Sequence, residues 1–121
     1  MEKTLMIVED DQSFHDLYDS ILEDSCYTVI HAYDGDDALA KLEEGRPDLI
    51  ILDIILDMVT GDTFFLYLKS QPGYEDIPVI IVSGASKSNY KNLWTIDPKL
   101  VFIDKVNIGE RLIKEVKARI G

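Results

Sequence analysis

The sequence predicts an α/β domain, a five-stranded parallel sheet with helices on both faces. Three observations carry that expectation. Short runs of strand character recur along the chain, several of them wholly apolar, and unbroken apolar runs are what strands become when both faces of a parallel sheet are covered. Segments with helical spacing alternate with these runs, and strict alternation calls for right-handed crossovers that place helices on both faces. Lastly, Glu9-Asp10, Asp53, Ser83 and Lys105 each follow a run of this kind, Lys105 after the intervening Asp104. In an open parallel sheet such residues meet at one rim, beyond the carboxyl ends of the strands.

The elements follow in order. Leu5 to Val8 reads as the first strand, and Phe14, Leu17, Tyr18, Ile21 and Leu22 follow at i, i+3, i+4, i+7, i+8, the spacing of an amphipathic helix. Tyr27 to His31 is a second strand. Ala38, Leu39 and Leu42 line a helix that Gly45 and Pro47 stop. Leu49 to Leu52 is the third strand, and beyond a loop through Asp57 to Gly61 the residues Phe64, Phe65 and Leu68 mark a helix ending near Pro72-Gly73. Ile77 to Val82 is the fourth strand. A short helix carrying Tyr90, Leu93 and Trp94 leads to a fifth strand at Leu100 to Ile103, after which Asn107 is placed to cap a last helix bearing Ile108, Leu112, Val116 and Ile120.

The chain of 121 residues is sized for one domain, read here as residues 1–121, and its 46% hydrophobic and 29% charged content is that of an ordinary globule. No apolar stretch reaches the length of a membrane span, and the run after Met1-Glu2-Lys3-Thr4 is too short for a signal peptide, so a cytoplasmic location is expected. A net charge of −11, from 23 acidic against 12 basic residues, opposes direct nucleic-acid binding. Cys26, the single cysteine, excludes an internal disulfide and is expected to be a small buried or half-buried side chain.

The turn after Val8 has neither the glycine pattern of a dinucleotide site nor that of a P-loop, and offers Glu9-Asp10-Asp11 instead. Glu9, Asp10 and Asp53 gathered in a cleft would repel one another strongly, so a cation belongs among them. Mg²⁺ suits, because it takes oxygen ligands and keeps waters that a phosphate oxygen can replace. Asp11, directly before the first helix, is expected to cap it. His15 falls on the polar side of that helix by the assigned pattern and His31 near the end of an edge strand, so neither is read as a catalytic or metal-binding residue.

Taken together, Ile7-Val8-Glu9-Asp10-Asp11, Leu52-Asp53 with Gly61 eight residues on, Val82-Ser83-Gly84 and Asp104-Lys105 resemble the receiver domain of two-component response regulators. The resemblance covers essentially the whole chain and implies a flavodoxin-like (βα)5 fold with strand order 2-1-3-4-5. It implies that Asp53 accepts a phosphoryl group from a histidine kinase or histidine phosphotransfer protein. Glu9, Asp10, Asp53 and the backbone carbonyl of Ile55 would hold Mg²⁺, while Lys105 and Ser83 would contact the phosphoryl group beside the small Gly84. Ser83 and Phe102 match the switch positions, and the surface around the fourth helix, fifth strand and fifth helix, with Tyr90 and Trp94, would meet a downstream protein target or a fused output domain. A phosphorylation-dependent dimer is a further implied possibility. Slow loss of the phosphoryl group is expected, because Ile55 and Ala85 offer no side chain to orient water.

The chain departs from that pattern at three places. Asp57 and Val106 stand where prolines are usual, and Asp97-Pro98 replaces a small-residue turn before the fifth strand. These leave open a second reading, a pseudo-receiver that binds partners without being phosphorylated. A third reading, a Mg²⁺-dependent phosphohydrolase, is disfavoured because Ile55 cannot protonate a leaving group.

Overall fold

The computed structural model describes residues 2–53, 61–84 and 91–121. Five strands are present, β1 (Thr4–Val8), β2 (Thr28–Ala32), β3 (Leu49–Asp53), β4 (Val79–Ser83) and β5 (Val101–Asp104). They alternate with α1 (Gln12–Leu22), α2 (Gly35–Glu44), α3 (Gly61–Ser70), α4 (Lys91–Ile96) and α5 (Ile108–Ile120), and a 3₁₀ turn at Lys105–Asn107 leads into α5. All strand pairs are parallel, in the order β2-β1-β3-β4-β5. This is the architecture and strand order expected above, with strand boundaries shifted by one or two residues.

Successive side chains of a strand point to opposite faces, and the core divides accordingly. Met6, Val8, Ile50, Leu52, Val79 and Ile81 pack with Ala38, Leu42, Phe64, Phe65, Leu68 and Leu93 of α2, α3 and α4. Leu5, Ile7, Leu49, Ile51, Ile80 and Val82 pack with Tyr18 and Leu22 of α1 and Ile108, Leu112 and Val116 of α5. The central strands β1, β3 and β4 are apolar at every position except Thr4 at the start of β1 and Asp53 and Ser83 at the ends of β3 and β4, because each face has its own layer. Edge strand β2 has an exposed Thr28 and half-buried side chains from Val29 to His31 before the buried Ala32.

Register places the strand ends side by side. Val8 lies opposite Leu52, Asp53 opposite Val82, and Ser83 opposite Asp104. The lower ends are tied as well, since Thr4 N–H donates to Asp48 Oδ2 at 2.8 Å while Asp48 N–H donates to the Thr4 carbonyl at 2.8 Å.

Several local expectations are corrected. His15 is fully buried and Leu17 is 42% exposed, so α1 turns His15, Tyr18 and Leu22 inward with Phe14 and Ile21 flanking them. Cys26 is exposed. Asn107 makes no side-chain capping bond, because the chain enters α5 through the 3₁₀ turn. Asp97 accepts from Lys99 N–H at 3.0 Å and pairs with Lys69 at 3.4 Å, which ties the turn before β5 to α3. Ile55, Asp57, Ala85 and Tyr90 lie outside the described residues, and Trp94 is in α4.

The packing predicts a measurable cost at the sheet centre. Leu52→Ala, at a fully buried position of β3, should lower unfolding stability by about 2–5 kcal/mol in a urea titration.

Candidate functional site

Among the described residues the buried polar or charged side chains are Glu9, His15, Asp53 and Ser83. All belong to the carboxyl-end rim or touch it, and buried polarity gathered at one place in an otherwise apolar core marks a site. β1 delivers Glu9 and Asp10, β3 ends on Asp53, β4 ends on Ser83, and Lys105 follows β5. Glu9 is 1% exposed and Asp53 5%, while Asp10 is the most open of the three acids.

The Lys105 ammonium joins the group. Its Nζ lies 3.1 Å from Glu9 Oε1 and donates to Asp53 Oδ2 at 3.2 Å. Burial works against the charge on Lys105, yet the carboxylates of Asp53 and Glu9 outweigh it and hold the amine above its usual range. The Lys105–Val106 peptide bond is trans, and Val106 is 90% exposed. Asp11 does cap α1, accepting from the backbone N–H and the hydroxyl of Ser13 at 2.9 and 2.7 Å. These bonds from Ser13 hold the Asp11 carboxyl below its usual range.

A hard divalent cation fits this cluster. Glu9, Asp10 and Asp53 each offer an oxygen, and those oxygens lie within 4.8 Å of one another. Glu9 Oε1 is buried without a hydrogen-bonding partner, although it faces the Lys105 charge. Burial, followed by the nearby Asp53 carboxylate, pushes Glu9 up to about 7. Carboxylates so placed gain most from a cation, and all-oxygen donors suit Mg²⁺.

Sequence reasoning missed the support behind Glu9. His15 Nε2 lies 2.7 Å from the Glu9 carbonyl, which can only accept, so Nε2 carries the proton. Its Nδ1 faces His31 Nδ1 at 2.5 Å, and His31 Nε2 reaches Asp19 Oδ1 at 2.8 Å. Burial pushes His15 below its usual range, and its ring stacks on Tyr33 at 4.2 Å between centroids. The signal was available, since His15, Tyr18 and Leu22 lie at i, i+3, i+7, but a histidine was not counted among apolar positions.

The comparisons agree with this geometry. A family model described as the response regulator receiver domain matches residues 5–117. The polar-differentiation response regulator DivK of Brucella anthropi is 32% identical over 121 residues, covering 100% of this chain and 98% of that protein. The chemotaxis protein CheY4 of Vibrio cholerae superposes with a TM-score of 0.89 at 25% identity, covering 99% of this chain and 100% of that one. The signal receiver domain of a histidine kinase from Syntrophus aciditrophicus gives 0.85 at 29% identity, covering 98% and 89%.

Glu9 sets a pH test. Its folded value lies above the usual 4.5, so the folded chain holds the proton more tightly than the unfolded chain does. Cation-free protein should therefore lose stability as pH rises from 4.5 to about 7, and millimolar Mg²⁺ at pH 8 should restore it. Thermal melts across that range with and without Mg²⁺ check this; a flat profile would contradict it.

Proposed function

This chain belongs to the response regulator receiver domains, and we propose that Asp53 is its phosphoacceptor, with a Mg²⁺ ion held by Glu9, Asp10, Asp53 and the Ile55 carbonyl. The observation that supports this most is the meeting of Asp53, Glu9 and the Lys105 ammonium at one buried rim. The attack is in line: an Asp53 carboxylate oxygen bonds to phosphorus as the bond to the donor nitrogen or oxygen breaks, and the donor leaves with the electron pair.

Each side chain has a part in that step. Phosphoryl transfer needs alignment and neutralised charge on the equatorial oxygens more than it needs a strong base. Lys105, already charged and within reach of Asp53, would move its donation from the carboxylate to a phosphoryl oxygen. Ser83 would donate its hydroxyl from the end of the neighbouring strand. The His15 bond fixes the Glu9 backbone, so the ligand side chain starts from a set position. The ion when bound would supply further positive charge to the same oxygens.

In this reading the chain is a signalling module and turns over no external substrate. A histidine kinase or histidine phosphotransfer protein supplies the group, and a protein target or fused output domain reads the surface around α4, β5 and α5. Ser83 and Phe102 form the switch, and a phosphorylation-dependent dimer is one form of output. The location is cytoplasmic, consistent with the lack of any helix among the described residues long and apolar enough to cross a membrane. The domain is residues 1–121.

Intact mass after incubation with acetyl phosphate tests the acceptor. Wild-type protein should gain one phosphoryl group only with Mg²⁺, and Asp53→Ala should gain none. Lys105→Met should slow the gain by about a hundredfold, as loss of a donor to transition-state charge does elsewhere. A gain that persists in Asp53→Ala would move the acceptor to another residue, and no gain from acetyl phosphate or a phosphohistidine donor would favour the pseudo-receiver.

A further inference from the structure

Lys105 has a third neighbour besides the two carboxylates. Its Nζ sits 4.2 Å from the centroid of the Phe14 ring. We propose that Phe14 is a positioning residue that keeps the Lys105 ammonium aimed at the phosphoacceptor when the carboxylates no longer hold it. The inference rests on the reading that Asp53 takes the phosphoryl group.

The need for such a residue follows from charge. Before reaction Lys105 is held by Glu9 and Asp53 at 3.1 and 3.2 Å. A divalent cation on the same carboxylates takes over their negative charge and repels the ammonium, so those two contacts weaken just when Lys105 must hold its place. The local backbone gives little help: Lys105 opens a 3₁₀ turn whose preceding Asp104 makes no side-chain capping bond, and the next side chain, Val106, stands in solvent. A long flexible amine on such a turn has many rotamers to lose.

Phe14 supplies what the carboxylates cannot. The negative face of an aromatic ring attracts a cation without carrying a charge that Mg²⁺ would compete for. The ring itself is well placed to act as a fixed platform. It stands in the first turn of α1, where Phe14 N–H donates to the Asp11 carbonyl at 3.1 Å and the Asp11 cap secures the turn. It is partly buried against the core layer shared by α1 and α5. The Lys105 side chain is 22% exposed, so the ring also covers part of the ammonium from water, which strengthens the attraction.

The test compares Phe14→Leu, Phe14→Tyr and site-specific replacement of Phe14 by mono-, di- and pentafluorinated phenylalanine in the full chain. Fluorines withdraw electrons from the ring face and scarcely change its shape. Phosphorylation rates at saturating acetyl phosphate and Mg²⁺ should fall stepwise with each added fluorine and by about tenfold in Phe14→Leu. Phe14→Tyr should stay within about twofold of wild type, and the Mg²⁺ dissociation constant should stay unchanged throughout. In NMR spectra the ε-methylene protons of Lys105 should show an upfield ring-current shift that Phe14→Leu abolishes. Equal rates across the fluorinated series, or absence of the ring-current shift in wild type, would overturn the inference while leaving Asp53 as acceptor. Failure of wild-type protein to take up phosphate with Mg²⁺ would instead remove the reading it rests on.

Discussion

The contact between the Lys105 ammonium and the carboxylates of Glu9 and Asp53 is the constraint on which the rim depends. Parallel pairing of β1 with β3 forces residues 9 and 53 to be neighbours, and both are nearly dry. Two close carboxylates in such a place cannot both be comfortable as anions, as the raised Glu9 shows. Lys105 relieves this from β5, two strands away from β3 in the sheet. One edge of the sheet is thereby bound to its centre by charge as well as by backbone hydrogen bonds. Any group that changes the charge at Asp53 must change what holds Lys105.

The same logic makes α1 more than a cover for the sheet. Its N-terminal end is fixed by Asp11 and Ser13, its third residue lays a ring against the Lys105 ammonium, and its fourth donates to the Glu9 carbonyl. His15 also leads through His31 to Asp19, so the backbone of a candidate metal ligand is linked to edge strand β2 and to the outer surface of α1 itself. These contacts run from the Glu9 carbonyl through both imidazole rings to the Asp19 carboxylate.

Much of the fold could be read from the sequence because the parallel sheet leaves so plain a trace. Runs such as Leu49 to Leu52 and Ile77 to Val82 are apolar on both faces, and the polar residue ending each run announces the rim. What escaped reading depends on orientation within an element or on contacts between distant residues. Leu17 was assigned to the core and His15 to solvent, since hydropathy ranks them that way, but a rotation of the helix by one position exchanges them. The gain comes from the Glu9 carbonyl, which a buried histidine can satisfy and a leucine cannot. Asn107 has the right residue type for a cap, and the 3₁₀ turn at Lys105 uses that stretch otherwise. Asp97 looked like a mere departure from a pattern, yet its carboxylate joins two elements through Lys69.

The proposed role of Phe102 as the switch aromatic is consistent with its burial. A side chain that alternates between two packings must have nearly equal energy in both, which excludes positions in a filled core, where leaving costs kilocalories. Ile103 is 2% exposed and meets the layer under α5; moving it would open that layer. Phe102, one residue earlier, points to the opposite face, is only partly buried and packs against the other core layer. The Phe102 carbonyl accepts from Arg111 of α5 at 3.3 Å, which ties the β5 backbone to α5 at this point. An edge strand is where such freedom can exist, and β5 is the edge strand that also carries Lys105. In the proposed reading, the ammonium that faces Asp53 and the switch ring are thus three positions apart on one short segment, which links the proposed acceptor to the outer face through β5.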